Sequence, residues 1–351
     1  MVKIVILGAG VMGSALTIPL AKNKHNINLW GTEYDTRIIE EIRKTGIHPK
    51  LKLKLPKIKT FLDNEIDEAI LDREFIILAI SSIGIKSVIK KIAPYLKKST
   101  ILISVTKGLG KINGRVATIS EIIYNSLPEK IRKDIPIVIV GGPSIAKEVA
   151  LNIPTAVVFA SNNFSVLNRC KQVFENVNYR IIITKDVIGV EICAALKNLY
   201  AIIIGACDGI MKYKGKSMNN TKALLFSYAI NEMRKIVVAR GGNEETVFGL
   251  AGIGDLEVTC KAGRNREFGA LLGSGMNINE ALDKMQKRGL TIEGYFVTKE
   301  AYELAQELEI GKKLNIRKDL PLLNMAYNVL YHNKEIEKEI MLLISKLNNK
   351  F

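Results

Sequence analysis

The sequence predicts an α/β N-terminal domain of Rossmann type, a doubly wound and mostly parallel sheet over residues 1–185, followed by an all-α C-terminal domain over residues 186–351. Three observations carry this. The chain opens with the apolar run Ile4-Val5-Ile6-Leu7, which feeds directly into G-x-G-x-x-G at Gly8, Gly10 and Gly13. As far as about Thr184, short β-branched runs alternate with amphipathic stretches, the pattern of successive βαβ units. After Asp186 the hydrophobic period becomes helical and stays so. The junction at 184–188 is short and has no low-complexity sequence, so the domains are expected to pack closely with a ligand cleft between them.

Taken in order, the strand at 3–7 is a continuous aliphatic run, as a strand buried on both faces requires. Gly8 permits the tight turn that ends it, Gly10 removes a side chain where a diphosphate would approach, and Gly13 lets the next helix, 11–23, pack against the strand. A phosphate would then sit on that helix's N-terminus, where orphan N–H donors and the helix dipole favour an anion. A second strand follows at 26–30 and a helix at 35–44. Lys50, Lys52, Lys54, Lys57 and Lys59 are interspersed with Leu51, Leu53 and Leu55, which reads as a strand with one wet face. Further strands are expected at 75–80, 100–105, 137–140, 155–159 and 180–183, and helices at 85–96, 116–126 and 164–176. The second half is expected to be helical at 187–206, 220–240, 279–288, 293–308, 320–331 and 335–347.

Composition narrows the function. With 351 residues and 48% hydrophobic content the chain can bury a large core. Its net charge of +16 suits a protein that handles phosphorylated small molecules. Nucleic acid is not expected as a partner, because the chain has a single Trp and its basic stretch lacks interleaved aromatics. The charge-free stretches 4–21 and 149–168 contain Pro19 and Pro154, with three glycines in the first and three asparagines in the second, so no stable membrane insertion is expected. Cys170, Cys193, Cys207 and Cys260 form no C-x-x-C, which points to reduced thiols in a cytoplasm and to no metal site. His25, His48 and His332 lie in polar or turn-like contexts and read as surface residues, so proton transfer must use another side chain.

Several residues carry the chemistry. Glu33 lies twenty residues beyond Gly13, where an acid can bind the ribose hydroxyls of NAD; Thr32 and Arg37 could instead hold the 2′-phosphate of NADP, and both readings stay open. Lys197 and Asn198 interrupt a helix that is apolar nearly all round, so the lysine is expected to be desolvated, largely neutral and suited to proton transfer. Asp255 sits in a glycine-bounded turn at a helix start, where capping is the simpler role. Gly263-Arg264-Asn265-Arg266 precedes another helix and brings guanidinium groups, an amide and backbone donors into a candidate phosphate clamp.

Together these pieces resemble the NAD(P)-dependent glycerol-3-phosphate dehydrogenase family over almost the full length. The matching motifs are G-A-G-V-M-G-S-A from Gly8, T-K-G-L from Thr106, G-P-S-I-A-K-E from Gly142, A-L-K-N from Ala195, D-G from Asp208 and N-T-K-A from Asn220. G-L-A-G-I-G-D-L from Gly249, G-R-N-R from Gly263 and E-G-Y from Glu293 complete the series. The resemblance implies a cytoplasmic homodimer that transfers hydride between NAD(P)H and dihydroxyacetone phosphate, giving glycerol 3-phosphate for glycerophospholipid metabolism. It implies that Lys197 donates a proton to the carbonyl, that Lys107 is a second active-site lysine, and that Asp255 and Thr259 orient Lys197 or the substrate hydroxyls. Gly142, Ser144, Asn198, Arg264 and Asn265 would bind substrate, and Asn220 would be a secondary residue of the site. Val11, Met12, Ser81, Lys107, Ala146, Arg264 and Glu293 would border the cofactor. Met12 stands where the family commonly has an aromatic residue or Asn, Ser81 where it has Pro, and the loop at 211–218 lacks the expected glycine-rich pattern. The rival readings are another two-domain hydroxyacid or hydroxyacyl dehydrogenase, which would be expected to use a His near a Glu, and an NAD(P)-sensing protein, which needs none of these cationic groups.

Overall fold

The structure is a computed structural model that describes residues 1–346. Its contacts divide the chain into two compact units, Met1–Val190 and Glu191–Phe351.

The first unit is built on an eight-stranded sheet: β1 (Lys3–Leu7), β2 (Asn26–Trp30), β3 (Lys59–Phe61), β4 (Phe75–Leu78), β5 (Ile101–Ser104), β6 (Ile137–Gly141), β7 (Thr155–Ala160) and β8 (Tyr179–Thr184). The order across the sheet is β8-β7-β6-β5-β4-β1-β2-β3, parallel throughout except where β6 meets β7. Its first six strands therefore run 3-2-1-4-5-6, the doubly wound dinucleotide-binding order, with the switch point between β1 and β4. Alternate residues of β1 serve two cores: Ile4 and Ile6 pack on one side of the sheet, Val5 and Leu7 on the other. Burial on both faces is why β1 reads as an unbroken aliphatic run.

Two expectations fail here. The region expected as one helix at 116–126 begins as a strand, Arg115–Thr118, paired in a hairpin with Leu109–Ile112; the helix Ile119–Ser126 starts only after Thr118, which forms a capping box with Glu121. The lysine–leucine alternation at 50–59 is not a strand with one wet face. Only Leu53–Lys54 pairs there, with Ile47–His48, and Lys52 adopts a positive φ of 56° in the intervening turn. Leu51 and Leu55 still reach the core, so the alternation records burial without extended pairing.

The second unit is all helical, organised around Val187–Lys214, whose first residues belong to the preceding unit. This 28-residue helix is apolar enough to cross a membrane by length and composition, yet 89% of its most apolar stretch is buried inside the protein. A helix surrounded by other helices has no wet face to carry polar residues. Asn219–Arg240, Asp255–Lys261, Arg264–Gly273, Glu293–Ile310 and Pro321–His332 are among its companions. Gly205 and Gly209 face Arg264–Gly273 so closely that a Cβ would run into the backbone at Arg266 and Ala270; Gly269 and Gly273 reciprocate against Ile202 and Ala206. The two backbones touch, with no side chain between them at these four points.

Candidate functional site

Each unit presents its own cluster of the residues singled out above. In the first unit the cluster is the turn after β1. Gly8 has φ +110°, and a Cβ there would strike the Ala79 carbonyl; a Cβ on Gly13 would strike that of Gly8. Gly10 is different. A Cβ there meets nothing within 4 Å, so this glycine keeps open a space that the protein itself does not fill. Gly10 is also the N-cap of the helix Val11–Lys22 and offers no side chain to its first-turn N–H groups, leaving those of Val11, Met12 and Gly13 to an outside acceptor. Such a cradle fits a dinucleotide pyrophosphate.

Glu33 is exposed beyond β2. The carboxylate that reaches the glycine turn is that of Asp35, whose Oδ2 accepts from Ala9 N (3.3 Å), Thr32 N (3.0 Å) and Thr32 Oγ1 (2.9 Å). Asp35 was legible only as the residue before the helix Thr36–Thr45. Sequence reasoning missed it because the spacing rule picked the nearer acid. In the same unit Lys107 Nζ donates to Gly142 O (2.9 Å) and lies 3.5 Å from Ser144 Oγ, so the structure brings these three expected residues together. Gly142 supports this turn with φ +93°. Thr106 Oγ1 donates to Ile80 O (2.8 Å), Ser81 is exposed beside it, and Ala146 starts the short helix Ala146–Ala150.

One histidine overturns the surface reading. His48 is 0% exposed, with its ring on the glycine turn: Nε2 lies 3.1 Å from Ala9 O, while Nδ1 accepts from Lys50 N (3.2 Å) and Leu51 N (3.0 Å). Burial is the main reason its pKa lies below the usual 6.5, with Lys50 pushing the same way; the Ala9 contact and the nearby Asp35 oppose this. His25 is half-buried against Val173 O, and His332 alone is exposed.

In the second unit Lys197 is 7% exposed and its Nζ donates to Asp255 Oδ1 at 2.5 Å and to Thr259 Oγ1 at 3.0 Å. Thr259 Oγ1 in turn donates to Asp255 O at 2.6 Å, which turns its lone pairs toward the lysine. The desolvated, largely neutral lysine expected from the apolar helix is thus corrected to an ammonium paired with a fully buried carboxylate. Asp255 is no cap either. A π-helical turn, Leu250–Gly254, runs directly into Asp255–Lys261, so the carboxylate is free of the helix end and available to Lys197.

The G-R-N-R segment is less of a clamp than its composition suggests. Arg264 is half-exposed and pairs with Glu293 at 2.8 Å. Asn265 is buried and bridges two elements: its Nδ2 donates to Asn198 Oδ1 (2.9 Å), and its Oδ1 accepts from Gly294 N (3.0 Å). Arg266 turns away to Asp208, Nε to Oδ2 at 2.6 Å, and Lys222 donates to the other oxygen of the same carboxylate at 2.7 Å. Asn220 is exposed near the start of its helix. Asp208 therefore ties three helices together, a role that the D-G pair in the sequence does not reveal.

Elsewhere in this unit, buried Glu232 accepts from Tyr200 Oη (3.0 Å) and from Leu322 N (2.5 Å) and Leu323 N (2.8 Å) at the start of Pro321–His332. Burial pushes its carboxyl up to about 8. Among the described residues no group of three His, Cys, Asp or Glu side chains is placed to hold a metal ion.

Comparison with known proteins gives one answer across the chain. The family model described as NAD-dependent glycerol-3-phosphate dehydrogenase N-terminus matches residues 3–167, and the one described as its C-terminus matches residues 186–341. The chain is 38% identical over 334 residues, 95% of its length and 96% of the relative's, to an NADP(+)-dependent glycerol-3-phosphate dehydrogenase of Archaeoglobus fulgidus. It is 36% identical to a glycerol-3-phosphate dehydrogenase [NAD(P)+] of Enterococcus faecalis, with 99% of this chain and 98% of the relative covered. Among solved structures it is similar to glycerol-3-phosphate dehydrogenase from Coxiella burnetii, with TM-score 0.84, 30% identity, and 98% and 99% of the two chains covered.

Proposed function

The chain belongs to the NAD(P)-dependent glycerol-3-phosphate dehydrogenase family and is an oxidoreductase of that specificity, and on this premise we propose which of its residues perform the reaction. The Lys197–Asp255–Thr259 cluster carries the reading. An ammonium has three N–H donors; Asp255 and Thr259 occupy two and fix the amine's orientation, leaving the third for a substrate oxygen. As the carbonyl of dihydroxyacetone phosphate becomes an alkoxide, Lys197 stabilises the developing charge and delivers a proton from Nζ. Asp255 then stands beside a neutral amine that it helps to reprotonate. NAD(P)H, when bound, supplies the hydride.

Gly8, Gly10 and Gly13, with the N–H groups of Val11 and Met12, are the residues that would hold the pyrophosphate; the open space at Gly10 supports this. Asp35 is the acid best placed to act on the ribose side of that turn, either directly or by holding Thr32, while Glu33 would contribute from its exposed position. Arg264 would exchange Glu293 for an anionic group of substrate or cofactor, and Asn265 with Asn198 would hold Arg264's helix in place. Lys107, Gly142 and Ser144 would bind substrate through their shared turn.

Cytoplasmic residence is supported by four buried free thiols, of which Cys170, Cys207 and Cys260 are pushed by burial up to about 12. A homodimer and a role in supplying glycerol 3-phosphate to glycerophospholipid synthesis follow from the family resemblance. The test of the whole reading is nicotinamide absorbance at 340 nm with dihydroxyacetone phosphate present or absent, repeated for Lys197→Ala. Substrate-dependent oxidation that disappears in the variant supports it; a variant with wild-type kcat would remove Lys197 from the chemistry.

A further inference from the structure

We propose that His48 is a positioning residue for the dinucleotide: through the carbonyl of Ala9 it sets the direction in which the Gly10 N–H points. The inference rests on the reading that the turn Gly8–Gly13 binds the cofactor pyrophosphate, and it adds what holds that turn in its binding shape.

The geometry determines the ring's tautomer. Two backbone N–H groups, from Lys50 and Leu51, converge on Nδ1, which must therefore accept; the ring proton is on Nε2 and is donated to Ala9 O at 3.1 Å. Ser14 Oγ donates to the same carbonyl, also at 3.1 Å. On the other side of the residue, Ala9 N donates to Asp35.

The consequence lies in the peptide plane. Ala9 C=O and Gly10 N–H belong to one trans peptide, so they point in opposite directions. Two donors hold the carbonyl toward the protein interior, and the Gly10 N–H is thereby turned outward, into the space that the missing Cβ leaves open. Without such an anchor a peptide flanked by glycines rotates at little cost, and a flip would present a carbonyl oxygen to the phosphate. Asp35, by taking the Ala9 N–H, leaves the outward-facing donors to be Gly10 and the first turn of the helix. Asp35 and Lys50 are the charged groups that act on the ring.

The two halves of the imidazole can be separated by substitution. His48→Asn places an amide oxygen near Nδ1 and keeps the 48–51 turn, but leaves Ala9 O without that donor. His48→Gln reaches Ala9 O with its amide N–H and gives up the turn acceptor. The measurements are NADH and NADPH dissociation constants by fluorescence titration of the full chain, with kcat and KM for dihydroxyacetone phosphate at saturating cofactor. His48→Asn should weaken both cofactors about tenfold, the scale of one buried hydrogen bond, with kcat within about twofold of wild type. His48→Gln should recover most of the affinity. Ser14→Ala, which removes the other donor to the same carbonyl, should weaken both cofactors in the same way and supplies the test should a His48 variant fail to fold. Wild-type affinity in both His48→Asn and Ser14→Ala overturns the proposal, as does His48→Gln binding no better than His48→Asn. If the unaltered protein binds neither dinucleotide, the reading of the turn itself fails, and the inference fails with it.

Discussion

Lys197 Nζ and Asp255 Oδ1, 58 residues apart in sequence, meet at 2.5 Å with both side chains almost wholly out of water. Removing either partner leaves the other charge buried without it, so a substitution here acts on both stability and rate. Lys197→Ala is expected to lower kcat by about two to four orders of magnitude, the range for a positioned proton donor with electrostatic stabilisation, while cofactor affinity stays near wild type. Lys197→Met keeps the apolar volume yet should be no more active, and it should melt below wild type because Asp255 loses its ammonium. The double variant Lys197→Met/Asp255→Leu should recover melting temperature without activity. Steady-state kinetics and calorimetry decide this; Lys197→Met melting at or above wild type would contradict the ion pair.

Arg264 and Glu293 form a half-exposed pair at 2.8 Å, which is worth little to the fold. Arg264→Ala should therefore leave the melting temperature nearly unchanged while raising KM for dihydroxyacetone phosphate by about tenfold or more, the loss of a charge-assisted contact to phosphate. Dihydroxyacetone, lacking the phosphate, should be a far poorer substrate of the wild type and should lose little further in the variant. Equal kcat/KM for the two substrates would remove Arg264 from phosphate binding.

Asp35, and not only Glu33, should govern the cofactor. Its carboxylate organises Ala9 N, Thr32 N and Thr32 Oγ1, so Asp35→Ala is expected to weaken NADH and NADPH alike by disordering the turn. Exposed Glu33 should act on preference: Glu33→Ala weakens NADH more than NADPH, because a carboxylate there accepts ribose hydroxyls and repels a 2′-phosphate. Titrations of both cofactors against both variants check this, and a Glu33→Ala protein with equal losses would reduce Glu33 to a solvated turn residue.

The buried histidine gives the stability curve a sign. His48 has a folded pKa below 6.5, so between that lowered value and 6.5 the unfolded chain binds more protons than the folded one. Its contribution to stability is fully present above pH 6.5 and is lost as pH falls through the folded pKa. Denaturant midpoints measured across that acid range should decline in wild type and decline less in His48→Asn. A parallel pair of curves would mean that His48 does not titrate differently on folding.

The parts of the fold that were legible in the sequence are those set by local pattern. The strand Lys3–Leu7 and the strand Asn26–Trp30 stand where the aliphatic runs placed them, because burial on both faces writes itself into consecutive residues. Lys197 was legible for a related reason, since a charge inside an apolar helix stands out against its neighbours. What could not be read is partnership across the fold. Nothing near His48 in sequence announces that Ala9, 39 residues earlier, supplies the carbonyl that makes its burial tolerable. Likewise Arg266 looks like Arg264 on paper, and only the position of Asp208, 58 residues earlier, turns one arginine inward while the other stays half-exposed. The strand Arg115–Thr118 went unseen because its pairing partner, and not its own periodicity, makes it a strand.

The contact between the helices Val187–Lys214 and Arg264–Gly273 carries a consequence for how this unit responds to change. Packed side chains act as springs, since rotamers can shift and let neighbouring helices slide by fractions of an ångström. Where Gly205, Gly209, Gly269 and Gly273 set backbone on backbone there is no spring, and the spacing is a hard stop. The helix that bears Lys197 and the helix that begins at Arg264 are gauged against each other like the jaws of a fixed caliper. Warming or distant substitution should leave that gauge alone, while a single added methyl at any of the four glycines would reset it.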